Sequence, residues 1–239
     1  MCGITGGVGK NVTEAEIKNM AATLTHRGPD ETKYWLSENC KLAMTRLSIM
    51  DPQFGSQPFT SEDEEIVCIF NGEIFNHADL KSKKLAGHKF ITDHADGEVI
   101  PHLYEENGLE FPNELDGMFA IAIWDSQKRN LVLCRDHFGI KPLYYTIIQS
   151  TIFFASEIKA LLELPFFLPE FDYCQLNNYF VLGHTMAPGT AYANIKQLKP
   201  AQILKAEASG EISISDYWNP AGITVDDLST HTMLKDRLV

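Results

Sequence analysis

The alternation of apolar and polar positions divides this chain into many short strands and a few helices. Gly3 to Val8 reads as a short strand. Thr13-Glu14-Ala15-Glu16 is a capping box, and Ile17, Met20, Ala21 and Leu24 follow at helical spacing, which predicts a helix with one buried stripe. Gly28-Pro29 breaks that pattern. Lys41 to Ser48 alternates as a strand, and Glu65 to Phe70 is a strongly apolar one that runs into Asn71-Gly72. Asn-Gly between apolar runs favours a hairpin turn. The same two residues also offer a side-chain amide beside a backbone N–H, a donor pair suited to an oxyanion hole. The pattern leaves both readings open.

Asn76 to Leu85 reads as a short helix, and Asp96 is placed as the N-cap of a helix running to Asn107. Pro101 falls beyond the first turn of that helix and is expected to remove a hydrogen bond. Met118 to Asp125 and Asn130 to Asp136 are strands joined by a polar turn. Met118 to Trp124 is apolar throughout, which predicts burial on both faces. Leu143 to Ile148 and Ile152 to Ala155 form a further hairpin. Ser156 is expected to cap a helix to Leu162, Asp172 one to Leu182, and Ala201 to Lys205 pairs with Glu211 to Tyr217. Strands do not alternate regularly with helices, so a doubly wound sheet is excluded in favour of an α+β arrangement, antiparallel sheets with helices outside. Residues 221 to 239 turn polar and read as a linker followed by a helix from Asp226 or Ser229.

Composition narrows this picture. Among 239 residues, 44% hydrophobic and 22% charged is the profile of a soluble globular protein. No apolar run approaches the roughly 20 residues of a membrane span, and no secretory leader opens the chain. A net charge of -12 argues against nucleic acid as a partner. Five cysteines, an odd number without C-x-x-C spacing, argue against a disulfide framework or a zinc ribbon and for a reducing, cytoplasmic compartment.

The chemistry begins at the N-terminus. With Met1 removed, Cys2 carries both a thiol and a free α-amine, which titrates near pKa ~7.7–8.0 and can take the thiol proton without a histidine. Arg46, near a strand end, offers a guanidinium fork for a carboxylate. Gly6 to Lys10 lacks the spacing of a phosphate loop. His88, Asp93, His94, Asp96, Glu98 and His102 crowd together but match no recognised ligand spacing, so no metal is expected.

The blocks Met1-Cys2-Gly3-Ile4, His26-Arg27-Gly28-Pro29-Asp30-Glu31, Arg46-Leu47-Ser48-Ile49, Phe70-Asn71-Gly72-Glu73-Ile74-Phe75-Asn76-His77 and Asp96-Gly97-Glu98-Val99-Ile100 occur in that order. Leu115-Asp116-Gly117-Met118-Phe119-Ala120, Arg135-Asp136-His137-Phe138-Gly139-Ile140-Lys141-Pro142-Leu143-Tyr144-Tyr145 and Phe154-Ala155-Ser156-Glu157-Ile158-Lys159-Ala160-Leu161 follow. This series resembles the glutaminase domain of glutamine-hydrolysing asparagine synthetases of the B type, class II glutamine amidotransferases with an N-terminal nucleophile.

The resemblance covers residues 2 to about 218 and implies a four-layer αββα sandwich, the N-terminal nucleophile hydrolase fold. It implies Cys2 as nucleophile, with the Asn71 side chain and the Gly72 backbone N–H as the oxyanion hole. Arg46 and the carbonyls of Ile49 and Met50 would hold the substrate, with Glu73 and Asp96 facing its α-amino group. The implied reaction is hydrolysis of L-glutamine through a Cys2 thioester, with no cofactor in this domain. Residues 219–239 would lead into a C-terminal synthetase domain, where ATP and magnesium are expected for amide formation on aspartate. A homodimer is compatible with this reading. The same glutaminase serving another acceptor, or a silent glutamine-binding module, are the alternatives.

Overall fold

The computed structural model describes residues 2–49, 51–92 and 94–222. In chain order, β1 (Gly3–Val8) leads to helix α1 (Glu14–Ala22), then β2 (Glu31–Leu36), β3 (Cys40–Arg46), β4 (Phe59–Thr60) and β5 (Ile66–Ile74). Helices α2 (His77–Lys83) and α3 (Val99–Asn107) precede β6 (Gly117–Asp125), β7 (Asn130–Arg135), β8 (Tyr144–Ile148) and β9 (Thr151–Ala155). Then come α4 (Ile158–Leu161), α5 (Tyr173–Leu182), β10 (Lys196–Gln197), β11 (Gln202–Glu207) and β12 (Ile212–Asp216).

The strands form two six-stranded sheets, ordered β10-β8-β9-β1-β3-β2 and β12-β11-β7-β6-β5-β4. Every pairing between named strands is antiparallel. β6 shows how the layers are built. Its side chains alternate between faces, as strand geometry requires. Phe119, Ile121 and Ile123 pack with Val99, Ile100 and Leu103 of α3, whereas Ala120, Ala122 and Trp124 pack with Ile4, Leu42 and Phe154 between the sheets. On the far side of the first sheet, Ile17, Met20 and Ala21 of α1 meet Ala43, Phe153 and Leu161. The result is the expected four-layer arrangement, helices, sheet, sheet, helices.

The capping box of α1 forms in full: Thr13 Oγ1 accepts from Glu16 N at 3.2 Å, and Thr13 N donates to Glu16 Oε2 at 2.8 Å. Asp172 caps α5 through Gln175 N at 3.0 Å. The structure decides one open reading and corrects two others. Asn71-Gly72 is no hairpin turn. β5 runs straight through it, with Asn71 opposite Ala120 and Gly72 opposite Phe119. A side chain at Gly72 would collide with the Met118 carbonyl, so the glycine serves close backbone approach.

Asp96 caps no helix. It opens a short 3₁₀ turn, Asp96–Glu98, and its carboxylate reaches across to β5. α3 therefore starts at Val99, and Pro101 falls in its first turn, where the missing N–H is tolerated. Ser156 does not cap α4, whose N-cap is Glu157. Its hydroxyl instead accepts from Ile4 N at 3.0 Å, tying β9 to β1. β2 and β4 carry no readable apolar signal, because β2 is largely exposed and β4 is two residues long. The expected helix from Asp226 or Ser229 lies outside the described residues.

Candidate active site

Cys2 precedes the first residue of β1, a central strand, and its backbone is tightly held. The Cys2 carbonyl accepts from Arg27 Nε at 3.0 Å, and Arg27 pairs through Nη1 with Glu157 at 2.8 Å. Ile4 and Ser156 exchange two hydrogen bonds, Ile4 N to Ser156 Oγ at 3.0 Å and Ser156 N to Ile4 O at 2.9 Å. A Cβ at Gly3 would stand 2.7 Å from Thr45 Oγ1, so only glycine lets β1 lie this close to β3 beside the thiol. Cys2 Sγ itself lies 4.0 Å from the Leu47 carbonyl.

Arg46 ends β3, buried, with its guanidinium turned onto the loop that follows. Nη2 donates to Asp51 O at 2.7 Å, Nη1 donates to Pro52 O at 3.4 Å, and Glu31 Oε2 lies 3.9 Å from Nη1. The same loop is pinned to the second sheet by Gln57. Its Nε2 donates to Phe70 O at 3.0 Å and its Oε1 accepts from Phe70 N at 2.7 Å. Gln57 thus satisfies the backbone of β5 immediately before Asn71.

The second sheet contributes Asn71, Gly72 and Glu73 from β5. Asn71 is buried, and its Nδ2 has no hydrogen-bond partner. An unpaired buried amide is costly and rare in a folded chain. Asp96 Oδ2 accepts from Ile74 N at 2.8 Å. Burial raises the Asp96 carboxyl above its usual range, against the Ile74 N–H and the nearby His77, which pull it down, while Glu73 adds to the rise. Gly97 lies against the Phe70 ring with no room for a Cβ, which seats the Asp96 turn on the sheet.

These residues line one cavity of about 200 Å³. Cys2, Arg46 and Ile49 come from the first sheet and its loop, Asn71, Gly72 and Glu73 from the second, and Asp96 from the turn on top of it. Its size is below the ~300–1,000 Å³ typical of drug-sized ligands, so it suits a small molecule. Two cations, Arg46 and Lys141, and two carboxylates, Glu73 and Asp96, in its walls fit a zwitterion, and a thiol beside an unpaired amide donor fits acyl transfer. Of the residues the sequence singled out, Cys2, Arg46, Ile49, Asn71, Gly72, Glu73 and Asp96 are brought together; Met50 lies outside the described residues.

A family model described as a glutamine amidotransferase domain matches residues 1–218. The chain belongs to the glutamine amidotransferase domain family. Among curated relatives, asparagine synthetase [glutamine-hydrolyzing] 2 of Bacillus subtilis is 37% identical over 231 residues, 92% of this chain and 31% of the relative. Asparagine synthetase [glutamine-hydrolyzing] 2 of Arabidopsis thaliana is 43% identical over 166 residues, 67% of this chain and 28% of the relative. The chain thus spans about a third of the length of the curated relatives it matches. In fold, it is similar to the glutamine phosphoribosylpyrophosphate amidotransferase of B. subtilis, with a TM-score of 0.63 over 91% of this chain and 49% of that one, at 16% identity. A second solved structure, an allosteric regulatory enzyme of purine biosynthesis, gives a TM-score of 0.64 at 17% identity, over 91% of this chain and 49% of that one.

Other residues in and around this cavity were not singled out in the sequence. Arg27 and Ser156 stand inside quoted blocks, yet only the folded chain shows that they anchor Cys2 and Ile4. Lys141, also in a quoted block, is buried and lines the cavity. Gln57 has no motif at all; its one local signal is a polar residue between Ser56 and Pro58 in a loop.

Proposed function

We propose that this domain hydrolyses free L-glutamine to glutamate and ammonia, and that the ammonia serves ATP-dependent asparagine synthesis in a C-terminal synthetase domain of the whole protein. The observation that carries the reading is the buried, unpartnered Asn71 Nδ2 in the cavity that also holds Cys2. A donor left unpaired in the free protein is ready for an oxyanion that exists only during reaction. The synthetase partner is supported by relatives named as glutamine-hydrolysing asparagine synthetases, of which this chain spans about a third, whereas its use of ATP, magnesium and aspartate rests on the resemblance of the residue blocks alone. The odd cysteine count supports the cytoplasm as its compartment. Among the described residues no helix is long and apolar enough to cross a membrane.

In the proposed reaction Met1 has been removed, and the Cys2 α-amine takes the thiol proton. The thiolate attacks the side-chain amide carbon of glutamine. The Asn71 amide and the Gly72 N–H stabilise the oxyanion of the tetrahedral intermediate. The α-ammonium returns its proton to the departing nitrogen, the C–N bond breaks, and ammonia leaves a glutamyl thioester. Water then cleaves the thioester to glutamate and regenerates Cys2. Arg46 pairs with the substrate carboxylate, the carbonyls of Ile49 and Met50 add contacts, and Glu73 and Asp96 accept from the α-ammonium. A peptide-bound glutamine lacks both charges and is rejected.

Intact mass after incubation with a diazo-ketone analogue of glutamine tests this reading. The expected result is a chain lacking Met1 with one covalent adduct, absent in Cys2→Ala. A chain that has lost Met1 yet takes no adduct while glutamate release is also absent would overturn it.

A further inference from the structure

On the outer side of the second sheet, among residues that do not line the cavity, four side chains converge. Glu62 lies in the turn between β4 and β5, His88 in the segment after α2, and His102 and Glu105 one turn apart on α3. One nitrogen or oxygen from each lies within 4.8 Å of all the others. His88 Nδ1 is 3.2 Å from Glu62 Oε1 and 3.7 Å from Glu105 Oε2. His102 Nδ1 is 3.3 Å from Glu62 Oε2 and 3.8 Å from Glu105 Oε2. A tetrahedral zinc with bonds of ~2.0–2.1 Å holds its ligand atoms roughly 3.3–3.4 Å apart. With Glu62 Oε2 serving both rings, at 3.3 Å from His102 Nδ1 and 3.5 Å from His88 Nδ1, the separations lie at or slightly above that edge.

The second observation is His102 itself. It is 1% exposed, and neither of its ring nitrogens makes a hydrogen bond, although Nδ1 faces both carboxylates. A buried imidazole left unpaired this way needs an explanation. On His88 the other nitrogen, Nε2, is 3.1 Å from Glu106 Oε1. A carboxylate behind a ligating histidine fixes the ring and turns the opposite nitrogen toward the metal.

We propose that Glu62, His88, His102 and Glu105 form a closed, structural site for a zinc-like divalent transition cation. Two imidazoles and two carboxylates in a compact set favour such an ion over magnesium or calcium, which take larger all-oxygen shells. The cation ties the β4–β5 turn and the segment after α2 to α3. Since α3 follows directly on the Asp96–Glu98 turn, the cation braces the layer that carries Asp96 into the cavity. This proposal departs from the expectation of a metal-free domain. Glu62 and His88 lie 26 residues apart, so the set has no spacing motif to read.

The test uses the 239-residue chain in a Cys2→Ala background, stripped of metal, so that the active-site thiol does not compete. Zinc is titrated calorimetrically, and cobalt(II) by absorption. One equivalent bound, a raised Tm, and tetrahedral cobalt bands without thiolate charge transfer are expected. His88→Ala and Glu105→Gln, at partly exposed positions that spare the buried His102, abolish that binding. Glu106→Gln weakens it by about 10- to 100-fold. Absence of stoichiometric binding, or binding unchanged in His88→Ala and Glu105→Gln, overturns the proposal and leaves a histidine–carboxylate ion-pair cluster.

Discussion

The two sheets bring opposite kinds of groups to the cavity. Those of the first sheet are tied down. The Cys2 carbonyl is held by Arg27, the Ile4 amide by Ser156, and the Arg46 guanidinium by carbonyls of its own loop. The second sheet presents Asn71 Nδ2 with nothing bound to it and Asp96 with a carboxyl raised by burial. Satisfied groups lower the free energy of the fold and fix where the nucleophile stands. Unsatisfied ones raise it, and a chain retains them where a ligand completes them. The first sheet therefore fixes where the nucleophile and the proposed carboxylate-binding Arg46 stand, and the second keeps an open donor for the reacting amide.

The sharpest test of this contrast is Asn71→Ala. Glutamine turnover is expected to fall by about 10²–10³, as for loss of one oxyanion donor, while Tm stays level or rises because a buried unpaired amide has gone. A clear drop in Tm would break the comparison. Steady-state kinetics and thermal melts on the same preparation decide it.

Asp96→Asn comes next. Losing the charged hydrogen bond to the substrate ammonium costs about 1.5–3 kcal/mol of binding, read as a raised KM for glutamine. Its effect on stability has the opposite sign. The folded pKa of Asp96 lies above its ordinary value of 3.8, so the fold favours the protonated acid. That contribution is complete below about 3.8 and is lost as pH rises through the raised value. The asparagine variant escapes the loss, so its stability relative to the parent increases as pH climbs out of the acidic range. Urea melts across pH would show no such trend if Asp96 were as well solvated as a surface carboxylate.

Ser156→Ala is the smallest and bears on the other side. Ile4 N loses its partner inside the sheet, which costs at least about 1 kcal/mol of stability, measured by denaturant unfolding. Binding of glutamine by the folded fraction is expected to hold. A KM change as large as that of Asp96→Asn would mean that Ser156 supports substrate binding and not only the position of β1.

Much of the architecture was legible because its causes are local. The capping box and apolar spacing predict α1, and the unbroken apolar run of β6 predicts burial on both faces, which two separate cores provide. The site was legible through its residue blocks, since a thiol at position 2, an arginine and an Asn-Gly pair in that order are specific in combination. What local pattern left open at Asn71-Gly72 was decided by the strand opposite. With Met118 and Phe119 packed against Gly72, the backbone has no room to turn. Asp96 and Ser156 looked like helix caps because their residue types suit that role, yet each found a better partner on a distant strand, Ile74 N and Ile4 N.

From its order of residues alone, this chain determined most of its strands, its principal helices and the two-sheet class, because those follow from periodicity within short windows, while the cavity side chains were legible through the residue blocks that carry the family resemblance. Tertiary structure alone decided which polar groups are satisfied and which are left open. Gln57 closes the Phe70 backbone, Arg27 holds Cys2, Asn71 keeps a free amide, and His102 lies buried between Glu62 and Glu105. Those outcomes depend on partners far away in the sequence, and a hydrogen bond or an unpaired donor exists only once both burial and geometry are set.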